Sequence, residues 1–205
     1  MCLITNQTIS TTTLSCLVLT LLITGCSGMG TSSGLNIGQT QSSDKADRQL
    51  DLDLHIAQQL VKKNKIDQAK TRLRELVDQN PNQAAPLINL GIIQLNENEA
   101  EAAEKLFNAA LKIDSKNIPA RNQLAISLRM QGRFSEAEQA YKEVIRHAPD
   151  YSFAHRNLGI LYDLYLAKPD LALIQYQKYQ ALSGENDQEI AGWISDLQRR
   201  TQSAK

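Results

Sequence analysis

The sequence is poor in the residue types on which catalysis and metal binding most often depend. Only three histidines and three cysteines occur among its 205 residues, and it contains no glycine-rich phosphate-binding loop. His147 and His155 are close in the sequence, but with no cysteine beside them and no clear third ligand they favour structural or surface roles. We therefore predict no enzyme activity, no metal, no cofactor and no small-molecule substrate.

An excess of charge of one sign is also missing. Lys plus Arg and Asp plus Glu number 22 each, and basic residues have acidic neighbours, as Arg133 has Glu136. Binding to a nucleic acid backbone requires a basic stripe. The balance therefore argues against a nucleic acid partner and indicates solvated helix faces with ion pairs.

Charged side chains are absent before Asp44, where the chain carries the apolar run LSCLVLTLLITGC. This run is shorter than the roughly 20 apolar residues that a membrane-spanning helix needs, so residues 1 to 25 are predicted to be a secretory signal. Its end, LITGC, resembles the lipobox of bacterial lipoproteins, although no Lys or Arg precedes the run as in that family. The resemblance implies cleavage before Cys26, lipidation of Cys26 and, from Ser27, an outer-membrane location facing the periplasm. The alternative is a cysteine that follows a cleaved signal by chance, which would leave an unpaired thiol in an oxidising compartment.

The segment after this cysteine is rich in Gly, Ser and Thr and lacks periodic apolar residues. Such composition is typical of a flexible linker. We predict a tether over residues 26 to 49 that joins a lipid anchor to the remaining chain. The alternative is that this segment docks as a lid on the domain that follows.

The rest of the chain repeats with a period of thirty-four residues. A leucine followed by a small residue recurs at this interval as Leu90-Gly91, Leu124-Ala125 and Leu158-Gly159. The period predicts four helical hairpins within residues 50 to 185, with units at 50 to 83, 84 to 117, 118 to 151 and 152 to 185. The last unit needs one additional residue near Lys168 and Pro169 to stay in phase.

This pattern resembles the tetratricopeptide repeat. The third unit matches the family at Leu124, Ala125, Gly132, Ala137, Tyr141 and Pro149. The resemblance implies an all-α, right-handed superhelical solenoid of about four hairpins, in which small residues allow the two helices of each hairpin to approach. Residues 186 to 205 are expected to form a capping helix that begins with a capping box at Asn186 and Glu189, and Trp193 is interpreted as packing rather than as a platform for a ligand.

The first helices of successive units are expected to line a concave groove. Where the resembled family often has a groove-facing asparagine, this chain has Ile92, Ile126 and Ile160. An apolar groove of this kind favours a partner helix or an extended peptide. The predicted groove residues are Ile88, Ile92, Leu95, Asn122, Ile126, Arg129, Met130, Phe153, Arg156, Ile160 and Leu164. The alternative is that the isoleucines pack between hairpins.

Two functions follow from the resemblance. The first is a lipoprotein scaffold that assembles an envelope complex such as a pilus or its secretin, similar to the tetratricopeptide pilotins. The second is an adaptor that recruits or regulates an envelope peptidase or murein hydrolase. Both require a protein partner and no chemistry from this chain.

Overall fold

The described part of the chain is built from helices. The computed structural model describes residues 37 to 184 and 187 to 203, with side chains from residue 45 to residue 202 within these ranges, and these residues include no strand. The helices are α1 (Ile37–Lys62), α2 (Ile66–Gln79), α3 (Ala84–Asn96), α4 (Ala100–Ile113), α5 (Ile118–Met130), α6 (Phe134–His147), α7 (Ser152–Ile160), α8 (Pro169–Ser183) and α9 (Gln188–Ser203). A π-helical turn at Leu161–Tyr165 continues α7. The described residues from Gly38 onward form one compact unit.

Successive helices pair into hairpins that stack on one another. α3 packs on α4, α5 on α6 and α7 on α8, while α2, α4 and α6 each contact the first helix of the next hairpin. The first helices also touch, α3 against α5 and α5 against α7. The predicted all-α stack of hairpins is therefore confirmed, and α3, α5 and α7 lie side by side.

The turn inside each hairpin depends on one residue with positive φ. These residues are Asn64, Asn98 and Gly132, with φ of 57°, 64° and 75°. Asparagine and glycine tolerate this left-handed backbone better than other residues. In the fourth hairpin the same place is taken by Ala167, with φ of 50°, one residue later than the period requires.

The additional residue of the fourth unit is absorbed by the π turn. The Leu166 N–H donates to the Leu161 carbonyl at 3.1 Å, a bond that spans five residues instead of four. The prediction that the insertion lies near Lys168 and Pro169 is thus corrected, because it lies earlier, within Leu161–Tyr165. A π turn confines the insertion to one place, whereas an additional α-helical residue would rotate all later side chains by about 100°.

Glycines allow the α3–α4 and α7–α8 hairpins to close on an aromatic ring. A Cβ atom on Gly91 would lie 2.6 Å from Phe107 Cε1, and one on Gly159 would lie 2.6 Å from Tyr176 Cδ1. The two glycines therefore lie directly against these rings. The rings are almost fully buried, and each removes roughly 150 to 250 Å² of surface from water.

The C-terminal helix covers the last hairpin. Ile190, Ile194 and Leu197 are buried in the same cluster as Tyr176, and the Trp193 ring centroid is 5.3 Å from that of Tyr176. The packing interpretation of Trp193 is confirmed. The predicted cap Asn186 lies outside the described residues, and Asp187 Oδ1 accepts a hydrogen bond from the Ile190 N–H at 3.1 Å.

Helix α1 corrects the predicted tether in part. It begins at Ile37, so the last part of the segment 26 to 49 is helical, whereas residues 26 to 36 lie outside the described residues. Leu50, Leu54 and Ala57 anchor α1 by packing with α2. Once such a segment is fixed, adding further turns toward the N-terminus costs less than starting a helix.

Candidate partner-binding groove

The predicted groove residues share one face of α3, α5 and α7. On α7 and the π turn, Phe153, Arg156, Ile160 and Leu164 follow one another at intervals of three or four residues, which places them along one side of a helix. We use the term groove for this surface of the three adjacent first helices. Its composition decides what it can bind.

The three isoleucines at the centre of the groove are each half-buried. Ile92 packs against the cluster that contains Leu95 and Phe107, Ile160 packs against the C-terminal cluster, and Ile126 contacts both clusters. Ile88 packs within the α3–α4 hairpin in the same way. These side chains therefore contribute to packing between hairpins and still present apolar surface to solvent.

Two predicted groove residues are corrected because they are buried. Leu95 is 8% exposed and belongs to the core between α3 and α4, and Asn122 is 2% exposed. Asn157 Nδ2 donates to Asn122 Oδ1 at 3.1 Å, which joins α5 to α7 beneath the groove. A buried amide needs such a partner, and the bond contributes about 1 kcal/mol. Asn157 thus has a structural role rather than a place on the groove surface.

The most exposed apolar groove residues lie toward α5 and α7. Met130, Phe153 and Leu164 are 40%, 43% and 68% exposed. Tyr165, which the sequence analysis did not include, is 42% exposed and stacks against Phe134 with ring centroids 5.0 Å apart. The π turn shifts Tyr165 out of the thirty-four-residue register, so the repeat could not predict that Tyr165 lies at the groove.

Arg129 and Arg156 are half-buried at this same surface. Arg129 Nη1 donates to the Tyr165 hydroxyl at 3.1 Å, and its Cζ lies 5.3 Å from the centroid of the Tyr165 ring. The Nε atoms of both arginines are buried and have no hydrogen-bond partner within the part of the chain that the structure describes. The groove therefore combines apolar surface with two partly desolvated positive charges.

The histidines have the structural and surface roles that the sequence predicts. His155 is buried, with Nδ1 2.8 Å from Gln175 Oε1 and Nε2 3.1 Å from the Pro149 carbonyl oxygen. His147 is exposed beside Arg146. Over residues 37 to 184 and 187 to 203, no group of three potential metal ligands comes together and no helix is long and apolar enough to cross a bilayer. Cys26 lies outside the described residues.

Comparison with protein families gives matches along the stacked hairpins. Two models, each described as a tetratricopeptide repeat, match residues 54 to 118 and residues 94 to 158. Together the two matches run from α1 to α7 and cover about half of the chain. They include most of the residues of the groove.

Individual relatives extend this likeness. The chain is 27% identical over 179 residues to the type IV pilus assembly protein PilF of Pseudomonas aeruginosa strain PAO1, covering 86% of this chain and 69% of that protein. A solved structure of Pseudomonas aeruginosa PilF superposes with a TM-score of 0.68 at 26% identity, over 77% of this chain and 71% of that one. A thermophilic tetratricopeptide repeat protein of Thermus thermophilus gives a TM-score of 0.62 at 21% identity, over 74% and 82% of the two chains, and is similar in fold alone.

Proposed function

Because this chain belongs to the tetratricopeptide repeat family, we propose that it is a scaffold that binds a protein partner in its groove and serves in type IV pilus assembly. The first part rests on the exposed apolar side chains of the groove on α5, α7 and the π turn, namely Met130, Phe153 and Leu164. Apolar surface of this kind marks an interaction site. The second part is supported by the similarity to PilF, which extends over most of this chain.

The proposal includes a location at the outer membrane. The LITGC motif supports lipidation of Cys26, and a lipid anchor there would hold the hairpins in the periplasm, where the envelope components of a pilus are accessible. Labelling cells with radioactive palmitate tests this part. The wild-type chain is expected to take up label and to fractionate with the outer membrane, and a Cys26→Ser variant is expected to do neither. Label retained by Cys26→Ser, or wild-type chain found in the soluble periplasmic fraction, contradicts it.

Deletion of the gene tests the role in pilus assembly. We expect the deleted strain to lose surface pili and twitching motility, and the wild-type gene to restore both. The adaptor role for a murein hydrolase or peptidase makes a different prediction, since pili would persist while the pattern of murein fragments changed. Normal piliation after deletion would therefore contradict the proposed function.

A further inference from the structure

Five arginines of the described chain are half-buried, and they fall into two groups. The five are Arg72, Arg121, Arg129, Arg133 and Arg156. Arg72 pairs with Asp53, Arg121 with Glu143 and Arg133 with Glu104. In the part of the chain that the structure describes, no carboxylate forms an ion pair with Arg129 or Arg156. The two unpaired members are the two that lie in the groove.

An unpaired, partly desolvated guanidinium is unfavourable for a folded chain. Removing a cation from water costs free energy that an anion and further hydrogen bonds normally offset. For Arg129 and Arg156 the buried Nε–H groups lack a hydrogen-bond acceptor among the described residues, and neither guanidinium has an ion-pair partner there. An anion with two oxygens would supply both at once, because it accepts two parallel hydrogen bonds from one guanidinium.

Other contacts fix the position of Arg129. The Tyr165 hydroxyl accepts from its Nη1 and the Tyr165 ring lies under the guanidinium, while Phe134 supports that ring. The π turn at Leu161–Tyr165 carries Tyr165 to this place. Arg129 is thus held in one orientation before any ligand arrives, which reduces the entropy lost on binding.

The surroundings of the two arginines carry more positive than negative charge. The nearby carboxylate of Asp163 is already paired with Arg200 at 3.1 Å. The Tyr141 hydroxyl is buried close to Arg129. Burial raises the pKa of Tyr141 to about 12, against the opposing effects of the positive charge of Arg129 and of a hydrogen bond with it, so this hydroxyl is neutral near pH 7 and adds no negative charge beside Arg129.

From this arrangement we propose that Arg129 and Arg156 form an anion site in the groove, which holds a carboxylate of the bound partner segment. Ile126 precedes Arg129 by three residues and Ile160 follows Arg156 by four, so each arginine shares a helix face with an apolar neighbour. A segment with an acidic residue between apolar residues matches this order of charge and apolar surface. The inference rests on the proposed function, because it specifies the chemistry of the partner that the groove receives.

Two pooled peptide libraries test the anion site. Both contain the same apolar flanking residues, drawn from Leu, Ile, Val and Phe, and differ only in a central Glu or Gln. Retention is measured on the immobilised full chain, and the ¹⁵N signals of the arginine Nε–H groups are followed in solution. We expect the Glu library to bind about ten-fold more tightly than the Gln library and to shift the Nε–H signals of Arg129 and Arg156.

Variants show whether these two residues carry the preference. Arg129→Gln and Arg156→Gln are each expected to bring the two libraries to equal affinity, whereas Arg146→Gln, at an exposed position on α6, is expected to keep the difference. Thermal unfolding checks that the variants are folded. Arg156→Gln should unfold near the wild-type temperature because it loses no ion pair, whereas Arg129→Gln should unfold somewhat below it because it loses the hydrogen bond and the ring contact with Tyr165.

The outcomes separate this inference from the proposed function. Equal binding of the Glu and Gln libraries by the wild-type chain would overturn the anion site and leave the groove intact. Binding of neither library would contradict the groove itself. Saturation of the Arg129 and Arg156 signals by inorganic phosphate, at concentrations below those of the Glu peptides, would assign the site to a free oxyanion and overturn a partner carboxylate.

Discussion

At the scale of single residues, the hairpin turns depend on backbone conformation rather than on contacts. Gly132 has φ of 75°, and a Cβ atom added there would meet nothing within 4 Å. A side chain at this position would therefore be penalised by its left-handed backbone alone. Gly192, in α9, has equally open surroundings but no positive φ.

These two glycines provide a matched pair of substitutions. We expect Gly132→Ala to lower the free energy of unfolding by about 1 to 2 kcal/mol. The same change at Gly192 is expected to raise it by about 0.5 to 1 kcal/mol, because alanine favours a helix interior. Chemical denaturation of both variants measures the effects. Equal shifts of the same sign would show that backbone conformation does not control the turn.

The ion pair between α1 and α2 makes stability depend on pH. A hydrogen bond from Arg72 is the main cause that lowers the pKa of the buried Asp53 carboxyl below its ordinary value of 3.8. Because the folded-state pKa is lowered, this interaction stabilises the fold above the ordinary pKa and is lost as pH falls through the lowered value. The relevant window is therefore acidic, below about pH 5.

Replacing Asp53 by Asn tests this assignment. The variant is expected to be less stable than wild type by about 1 to 3 kcal/mol at pH 7, because Arg72 loses its charged acceptor. The difference should shrink as the pH falls toward about 2. Asp51→Asn, at an exposed neighbouring position, serves as the control and should leave the profile unchanged. A difference between wild type and Asp53→Asn that persists in acid would refute the ion pair as the cause.

The sequence alone predicted some of these single-residue contacts but not others. The small residues at Gly91 and Gly159 followed from the repeat, but their aromatic neighbours did not, because spacing shows where a helix needs a small side chain and not which ring fills the space. The burial of Asn122 also escaped prediction. Its partner Asn157 lies thirty-five residues later, and an amide on a helix face gives the same pattern whether it meets water or another amide.

At the scale of elements, the closure of a hairpin depends on a ring that lies against a glycine. In the fourth hairpin, Gly159→Ala would place a Cβ atom 2.6 Å from the Tyr176 ring. We expect this change to cost about 1 to 3 kcal/mol through overpacking. Adding Tyr176→Leu should relieve the clash. The loss of unfolding free energy in the double variant should therefore differ from the sum of the two single losses by about 0.5 to 3 kcal/mol. Additive effects in urea denaturation would show that the ring and the glycine do not share this contact.

The π turn is the element that the sequence could predict least. The period indicated that the fourth unit holds one more residue, and the structure agrees, since Gly132 and Ala167 occupy equivalent turns thirty-five residues apart. The same count is satisfied by a longer loop or by a bulge in the helix. The hydrogen bond from the Leu166 N–H to the Leu161 carbonyl distinguishes the two, because a bond that spans five residues places the additional residue within the helix.

At the scale of the whole molecule, more of the fold than of the groove could be predicted from the sequence. The thirty-four-residue period determines helix pairing because each hairpin buries its apolar face only against its neighbours. A groove depends instead on how much of each side chain remains exposed after stacking. Ile126 illustrates this limit, since it packs against two clusters and also faces the groove. Substituting it with a charged residue would disturb both packing and binding, so more exposed groove residues make better probes.

The central claim, that the groove holds an envelope partner, is tested most directly by photo-crosslinking in piliated cells. A photoreactive phenylalanine derivative replaces Phe153, which is 43% exposed in the groove, or Ile174, which is 49% exposed on α8 outside the groove-lining helices. Both variants should retain pili, and thermal unfolding confirms that both are folded. We predict a covalent adduct with a pilus assembly protein from position 153 and none from position 174. An adduct from position 174 alone, or a murein hydrolase or peptidase captured at position 153, would contradict the account.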